Sequence, residues 1–438
     1  MKTRQSILLA GAAWASLFAG VASAQTAPDT NAPKPSVGDT TSAAATAPGA
    51  PAAPPASWAS GVKFTAHVEG GATFNAVEPN SGVNFGHLFT DKPSRGLLNS
   101  AALTLERDID PKATGIDIGF KLQGYYGSDA RYTHFLGEID RDITGLNQFD
   151  VVEANITVHT PFFFKGGIDI KGGQFSTPIG QEVIDPSGNF FYSHTYIFNF
   201  GIPFKHTGVL TISHVSPILD IYAGYDTGVN TFVGAQGGYN DDQFHFLGGF
   251  GLNFAKLTVL ALTHIGPENP QFALGANVDS HKYNRYLNDI LLTYKFNDKL
   301  TSITELNYIR DDGANATGGG VAQYFTYVLT PEITAGVRGE VWRDNNGFYV
   351  AAFPGNLDYL NASFGLPNGS FGFGPVTYGA ITVGMNFKPP KLPKVIDGLT
   401  LRPEIRYDRA LAGANPFNGG TARDQLTFGI DGVLPLTF

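Results

Sequence analysis

The stretch from 424 to 438 alternates between apolar and polar side chains. Leu426 and Phe428 share one parity with the last residue, Phe438, and Thr427 lies on the other. A period of two is typical of a β-strand whose two faces meet different surroundings. With its terminal aromatic side chain, this segment predicts the closing strand of an outer-membrane β-barrel, in which one side chain faces lipid and the next faces the lumen.

Sixteen segments of this kind, each bounded by turn residues, follow one another along the chain. They are 62–77, 99–107, 115–126, 149–158, 165–175, 205–213, 218–227, 242–254, 256–265, 285–296, 299–310, 321–329, 332–344, 376–388, 398–408 and 424–438. The connections alternate, with eight long ones on one side and seven short ones on the other. This sidedness is typical of bacterial outer-membrane barrels. The sequence therefore predicts an all-β fold, a transmembrane antiparallel up-and-down β-barrel of about 16 strands with both ends of its wall on the periplasmic side.

Charged side chains fall on one face of several of these segments. Arg402, Glu404 and Arg406 share a face of one segment, and Arg338 and Glu340 share a face of another. A Lys or Arg that faces lipid at mid-depth costs about 2–4 kcal/mol. We therefore expect the charged faces to line the interior. Side chains alone cannot fill the interior of a barrel with this many strands, so we expect it to hold water.

The same argument orients the third and fourth segments. Lys121 is predicted to face inward. Val152 is placed on the outward face with Ala154 and Ile156, opposite Glu153.

The beginning of the chain predicts export. Lys2 and Arg4 precede an apolar stretch, and Ala22-Ser23-Ala24 has the small-x-small form of a signal-peptidase site, so 1–24 is predicted to be a cleaved signal peptide. Residues 25–60 are mostly Ala, Pro and Thr, which predicts a disordered periplasmic tether. The barrel is assigned to 61–438. An uncleaved N-terminal membrane anchor is the alternative for the first segment.

Composition narrows the chemistry. The chain has no Cys, which excludes disulfides, thiolate metal sites and a Cys nucleophile. A net charge of −9 argues against a nucleic-acid partner. We find no phosphate-binding, zinc-protease or nucleophile-elbow motif, and His206 and His214 are separated by much of one strand, so no metal site, cofactor or catalytic residue is predicted. A barrel lipase or protease remains as a weaker alternative.

The third long loop, 176–204, is more apolar than a free surface loop should be. We hypothesise that it folds into the barrel and narrows it. Glu182 and Asp185 would then oppose wall cations and set up a transverse field that screens solutes. The candidate cations are Lys121, Lys171, Arg338, Arg402 and Arg406. The alternative is that the loop packs against the outer rim.

The seventh long loop, 345–374, is rich in Gly, Asn and aromatic residues. Its aromatic side chains could stack on sugar rings, or they could pack together as a cap over the barrel.

The block from Gly173 to Glu182, followed by Asn189, the Ser193-His194-Thr195 element and the strand that begins His206-Thr207-Gly208, resembles the β-barrel porin type 2 family, also described as OmpL-like. The resemblance covers 61–438 in layout. It implies an outer-membrane barrel that acts as a porin, and it supplies no substrate. His194 stands where the family has Arg. If that Arg lines the family's constriction, His194 implies selectivity that depends on pH or is weaker for anions.

Taken together, the sequence predicts a porin in the bacterial outer membrane that passes small hydrophilic solutes by passive diffusion and is not an enzyme. The predicted pore-lining residues are Lys121, Lys171, Glu182, Asp185, His194, Arg338, Glu340, Arg402, Glu404 and Arg406. The predicted partners are outer-membrane lipids, the barrel-assembly machinery through the Phe438 strand, and two further copies in a homotrimer. A surface receptor or adhesin with a closed lumen is the main alternative, and a soluble secreted β-protein is the third.

Overall fold

The computed structural model of the chain describes residues 58–233, 243–274, 277–393, 396 and 398–438. The predicted signal peptide and nearly all of the predicted tether therefore lie outside the described residues. Trp58–Gly61 forms a single 3₁₀ turn that leads into the first strand.

Sixteen antiparallel strands close on themselves to form one barrel, as predicted. The wall strands are β1 Lys63–Asn75, β2 Arg95–Arg107, β3 Asp117–Gly127, β4 Gln148–Thr160, β5 Ile168–Ser176, β6 Lys205–Ser216, β7 Leu219–Asp226, β8 His245–Asn253, β9 Leu257–Gly266, β10 Arg285–Lys295, β11 Leu300–Asp311, β12 Ala316–Val328, β13 Ile333–Asp344, β16 Val376–Phe387, β17 Thr400–Gly413 and β18 Asp424–Thr437. Two further short strands, β14 Ala351–Ala352 and β15 Phe371–Gly372, pair with each other inside the seventh long loop. The barrel closes where β1 pairs with β18, for example Val68 opposite Leu434.

The described helices are short. They are α1 Ala130–Thr133, α2 Gln271–Leu274 and α3 Asp358–Ser363, with 3₁₀ turns at Pro186–Gly188 and Ser280–Lys282 and a π-helical turn at Ile197–Gly201. None of the helices in the described ranges is long and apolar enough to cross a membrane.

The two faces of the wall differ as the alternation predicts. On β17, Ile405 points outward and is 50% exposed, whereas its neighbours Glu404 and Arg406 point inward and are buried. On β3, Ile118 and Leu122 are exposed on the outer face. Apolar side chains thus meet the surroundings of the barrel, and charged side chains meet its interior.

The fourth strand departs from simple alternation. Gln123 pairs with Glu153 but Gly124 pairs with Val151, so Val152 is an extra residue in β4. A β-bulge of this kind reverses the side-chain parity on one side of the irregularity. The outward placement of Val152 was therefore wrong: it is 1% exposed and belongs to the buried cluster inside the barrel.

The alternation of long and short connections holds with two exceptions. The sixth outer connection, predicted to be long, is only 312–315, because β12 begins at Ala316 instead of near 321. The glycine-rich start of β12 was assigned to a loop because glycine is uncommon in strands. A Cβ at Gly318 or Gly320 would lie within 3 Å of the Trp342 side chain, so this part of the strand requires glycine. On the opposite side, the connection 388–399 is longer than a tight turn, and its prolines cannot donate ladder hydrogen bonds.

The main apolar core lies inside the barrel, near the long-loop ends of the strands. Wall residues such as Leu210 and Leu247 join loop residues such as Phe85, Phe89 and Phe198 in one buried cluster. A barrel of this size has room for such loops in its interior. The loops that contribute buried residues are loop 1 (76–94), loop 2 (128–147), loop 3 (177–204), loop 7 (345–375) and loop 8 (414–423).

Candidate functional site

Loop 3 contacts inward-facing side chains on opposite parts of the wall. The loop leaves the wall at β5 and returns at β6, and its hydrogen bonds reach β11, β12, β13 and β17, which lie on the far side of the barrel. Arginines and carboxylates of the wall make most of these contacts. We call Arg338, Glu340, Arg402, Glu404 and Arg406, together with the loop 3 groups that they bind, the clamp.

Arg402 lies near the short-turn end of β17 and binds the Pro186–Asn189 part of loop 3. Its guanidinium donates to the backbone oxygens of Pro186 and Asn189, each at 2.8 Å. The same group donates to Glu69 at 2.8 Å and is paired with Asp431. Arg402 is 3% exposed, so its charge is directed to these partners.

Arg338 and Arg406 bind the apex of loop 3. Arg338 donates to Glu182 at 2.7 Å and to the backbone oxygen of Ser193 at 2.6 Å. Arg406 donates to the backbone oxygen of His194 at 2.5 Å and pairs with Asp408 at 2.7 Å and Glu340 at 3.1 Å. Both arginines are almost completely buried.

The carboxylates of the clamp accept hydrogen bonds from the loop backbone. Glu404 accepts from the amides of Tyr192 and Ser193, at 2.9 and 3.0 Å. Glu340 accepts from the amide of Tyr196 at 2.7 Å.

Glu182 acts within the loop itself. It accepts from the amide of Thr195 at 2.8 Å and from the hydroxyl of Tyr324 on β12 at 3.2 Å. Hydrogen bonds to ionised groups are roughly twice as strong as neutral ones. The clamp therefore holds a loop with little regular structure in one conformation.

The opposite face of loop 3 is fixed by close packing. Gly180 has φ +91°, and a Cβ there would lie 2.7 Å from Ile202 Cδ1 and 3.0 Å from Glu305 Oε1. The amide of Gln181 donates to the same Glu305 oxygen at 3.1 Å. Only glycine combines this backbone conformation with this clearance.

Not all of the predicted pore-lining residues meet at this place. Glu182 pairs with Arg338, one of its predicted partners, but Asp185 lies 3.4 Å from His67 and accepts from Ser187. Lys121 pairs with Glu106 of β2 at 3.7 Å. Lys171 lies 5.9 Å from the ring centroid of Phe175.

His194 is held by neighbours within loop 3. Its Nε2 lies 3.2 Å from the Asn189 side-chain amide, and its ring stacks on Phe198 with 4.4 Å between centroids. Burial lowers the pKa of His194 well below its ordinary value, and the nearby Arg338 lowers it further. The imidazole is therefore neutral around neutral pH.

Loop 1 also enters the barrel, which sequence reasoning missed. His87 Nε2 lies 3.1 Å from Asp408 Oδ2 on β17, and burial lowers the pKa of His87. The backbone oxygen of Gly86 accepts a hydrogen bond from the side-chain amide of Asn199 in loop 3 at 3.3 Å. Phe89 packs edge-on against His194 at 4.9 Å. The apolar run Val83-Asn84-Phe85-Gly86-His87-Leu88-Phe89 was the available signal, since a free loop has no reason to carry it.

The aromatic residues of loop 7 pack onto this assembly. Phe373 contacts Phe85 of loop 1 at 5.2 Å between centroids, and Tyr359 contacts Tyr132 of loop 2 at 5.4 Å. This is the arrangement that the loop-cap alternative predicts.

The comparisons with known proteins agree with this architecture. The family model described as "Putative beta-barrel porin-2, OmpL-like" matches residues 61–436. The chain belongs to this porin family. It is thus a porin-type β-barrel of the bacterial outer membrane. Among curated proteins, no relative matches the chain.

Solved porin structures share the fold of this family member. The outer-membrane channel DcaP of Acinetobacter baumannii matches with a TM-score of 0.51 at 12% identity, covering 86% of this chain and 97% of that one. OprB of Pseudomonas putida gives 0.51 at 14% identity, covering 86% and 94%. The anion-selective porin of Comamonas acidovorans gives 0.51 at 10% identity, covering 86% and 99%. At these identities the likeness shows the fold alone.

The residues that carried the family resemblance lie in and beside the clamp. Thr177 at the root of loop 3 lies 3.0 Å, Oγ1 to Nε2, from His206 of the following strand. Glu182 and Ser193 bind Arg338. The side chain of Asn189 bonds the backbone of Val183 in both directions. In this porin the residues that carry the family resemblance therefore make the contacts that attach loop 3 to the wall and fix its conformation.

Proposed function

We propose that this porin lets small hydrophilic solutes diffuse passively across the outer membrane, and that loop 3 sets the narrowest part of their path. The observation that carries the proposal is the clamp: a loop that leaves the wall between β5 and β6 and is bound to β13 and β17 across the barrel reduces the space through which a solute can pass. No cofactor or covalent step is needed. Family membership favours a channel over an enzyme.

The charges around the clamp bear on ion preference. Three guanidinium groups, those of Arg338, Arg402 and Arg406, face six carboxylates, those of Glu69, Glu182, Glu340, Glu404, Asp408 and Asp431. Both the arginines and the carboxylates are buried and paired with each other or with loop 3, so a passing ion would meet their combined field and no single free group. We therefore propose a preference for small cations over anions, which arises from the excess of carboxylates.

Conductance in planar bilayers tests the proposal. The purified full chain is expected to give discrete conductance steps, and a variant lacking 179–196 is expected to give larger steps and to admit larger neutral sugars. A reversal potential in a KCl gradient reports the ion preference. Unchanged conductance and sugar exclusion in the deletion variant would show that loop 3 does not set the constriction.

A specific observation favours the second candidate, a receptor or adhesin with a closed lumen. Aromatic side chains of loop 1 pack against loop 3, and those of loops 2 and 7 pack against loop 1 and against each other. The inner wall near the long-loop ends is largely buried. A closed lumen predicts no conductance from the wild-type chain and steps only after loop 3 is shortened. The same bilayer measurement thus separates the two functions.

The remaining partners belong to the same proposal. The ring of Phe438 lies 5.1 Å from that of Phe64, and the Phe438 amide donates to the Phe64 backbone oxygen at 3.2 Å. The end of the last strand is therefore paired with the first strand. We propose recognition of this strand by the barrel-assembly machinery and insertion among outer-membrane lipids. A homotrimer is proposed by analogy with other porins, and cross-linking in isolated outer membranes tests it.

A further inference from the structure

Three buried side chains on three of four consecutive wall strands converge at the long-loop end of the wall. They are His206 on β6, Asp226 at the end of β7 and His264 on β9, and all three are 0% exposed. His206 Nδ1 lies 2.8 Å from one oxygen of Asp226, and His264 Nε2 lies 2.9 Å from the other. One ligand atom from each of the three lies within 4.8 Å of the others, the sole such group found among the described residues.

A second observation concerns the far side of each imidazole. His264 Nδ1 lies 3.5 Å from Glu268 Oε1, and His206 Nε2 lies 3.0 Å from Thr177 Oγ1. Histidines that ligate a metal commonly direct their other ring nitrogen to a carboxylate or another polar group, which fixes the ring and the tautomer. His206 has that outer support. His264 Nδ1 makes no hydrogen bond at its present distance from Glu268, which is the nearest carboxylate that could supply it.

The donor set suits a borderline divalent metal. Two imidazole nitrogens and a carboxylate are ligands that Zn²⁺ prefers, at about 2.0–2.2 Å. Around a tetrahedral ion at those distances, ligand atoms lie about 3.3 Å apart. The two histidine nitrogens lie 2.8 and 2.9 Å from different oxygens of Asp226, and the ligand atoms lie within 4.8 Å of one another, so ligand atoms must move by at most about 1.5 Å to reach the tetrahedral spacing.

We propose that His206, Asp226 and His264 form a binding site for a transition-metal ion of the Zn²⁺ class. The bound ion would replace the protons now shared between the imidazoles and the carboxylate. It would join β6, β7 and β9 and, through Thr177, reinforce the root of loop 3. The site is structural and does not depend on which solute the barrel passes.

The competing explanation is that these three residues form a network of hydrogen bonds that holds no metal. The charged groups nearby are Glu268 and Arg285. The ring of His245 stacks on His264 at 5.9 Å, and its Nε2 is directed to the backbone oxygen of Pro267. The chain offers a matched control for this explanation. His159, Asp169 and His214 form a similar chain of contacts, at 2.6 and 3.0 Å, but their ligand atoms do not gather within 4.8 Å.

The test is metal binding to the full chain in detergent micelles, after a chelator has removed adventitious ions. Zn²⁺ is titrated calorimetrically, and Co²⁺ is used for its visible absorption, both with the folded protein and during refolding. The wild-type chain is expected to bind one ion. Asp226→Asn is expected to lose binding, and Glu268→Gln, which leaves all three ligands in place, is expected to weaken it about 10-fold. The control Asp169→Asn is expected to bind like the wild type.

Folding of each variant is checked by its heat-dependent mobility in gels. If Asp226→Asn fails to fold, Glu268→Gln and the wild type decide the question. No saturable binding by the wild type overturns the proposal. Equal binding by wild type, Asp226→Asn and Glu268→Gln means an adventitious ion only, and it overturns the proposal as well.

Discussion

At the scale of single residues, the buried arginines decide how loop 3 is held. Arg338 joins Glu182 and the backbone oxygen of Ser193, with almost no exposure to solvent. A buried ion pair contributes little net stability when both partners are present, but removal of one partner leaves an uncompensated charge. Each clamp arginine is therefore more sensitive to substitution than a surface arginine.

We expect Arg338→Met to lower the free energy of unfolding by about 3–5 kcal/mol, because Glu182 is left buried without its partner. Addition of Glu182→Gln should restore part of the loss, since the charge is then removed as well. Denaturant unfolding of barrels folded in lipid vesicles measures both variants. Arg409→Met removes an exposed ion pair with Asp424 and is the matched control, with no measurable change expected. Equal losses for Arg338→Met and the control would contradict a buried clamp.

The pKa of His194 gives a second prediction at this scale. Burial keeps this pKa below its ordinary value of about 6.5, so the packed loop binds fewer protons than a released one. The stability of the packed loop is then unaffected above about pH 6.5 and falls as the pH drops below it. His87 of loop 1, whose pKa is also lowered by burial, adds in the same direction.

We therefore expect channels at pH 5 to spend more time with loop 3 displaced than channels at pH 7.5. Single-channel records of the wild type should show larger or noisier steps at the lower pH. In His194→Gln the change should shrink, because one of these two histidines is gone. A wild-type response that is flat between pH 7.5 and 5 contradicts the prediction.

At the scale of elements, the wall strands were predictable because each carries a local, period-two signal. Apolar Ile405 and charged Arg406 alternate along β17, and this alternation can be recognised in the sequence without knowledge of the partner strands. The start of β12 was missed because the need for glycine there comes from close packing against Trp342, a residue distant in sequence. Val152 was misplaced because a bulge changes parity without leaving a mark in the local pattern.

The clamp lay beyond local reasoning for the same physical reason. That loop 3 would meet wall charges could be inferred from its apolar composition and from Glu182. That Arg402 would bind the backbone oxygens of Pro186 and Asn189, more than 200 residues away, could not, since a backbone oxygen is the same in every residue. The entry of loop 1 was missed because His87 meets Asp408 only after the barrel has closed.

Gly180 gives a prediction for loop 3 as an element. We expect Gly180→Ala to displace the loop root, since the new methyl group would meet Ile202 and Glu305 in addition to a strained backbone. Gly82→Ala in loop 1 is the matched control, with φ +69° and nothing within 4 Å of the new Cβ. A residue other than glycine in a left-handed conformation costs roughly 1–2 kcal/mol, so the control reports backbone strain alone. Conductance should rise for Gly180→Ala and not for Gly82→Ala, and equal conductance in the two variants would count against close packing at the root.

At the scale of the whole molecule, the barrel reverses the usual arrangement of a soluble β-protein. Apolar side chains cover its outside, charged side chains line much of its inside, and a separate apolar core is built from loops within the bore. Closure makes this possible, because a wall in which β1 pairs with β18 leaves no unpaired edge in the hydrocarbon. The loops inside the bore are the basis of the proposed constriction.

This arrangement predicts that the cost of an outward charge depends on its depth. Ile405 lies near the middle of β17 and Leu411 near its long-loop end, and each is 50% exposed on the outer face. Ile405→Arg should lower stability in lipid vesicles by about 2–4 kcal/mol and Leu411→Arg by about 0–1 kcal/mol, because hydrocarbon surrounds only the first site. In a soluble β-protein both positions would face water, and the two substitutions would have the same small effect. Vesicle-based unfolding of the pair therefore tests whether lipid surrounds the wall, on which the porin function depends.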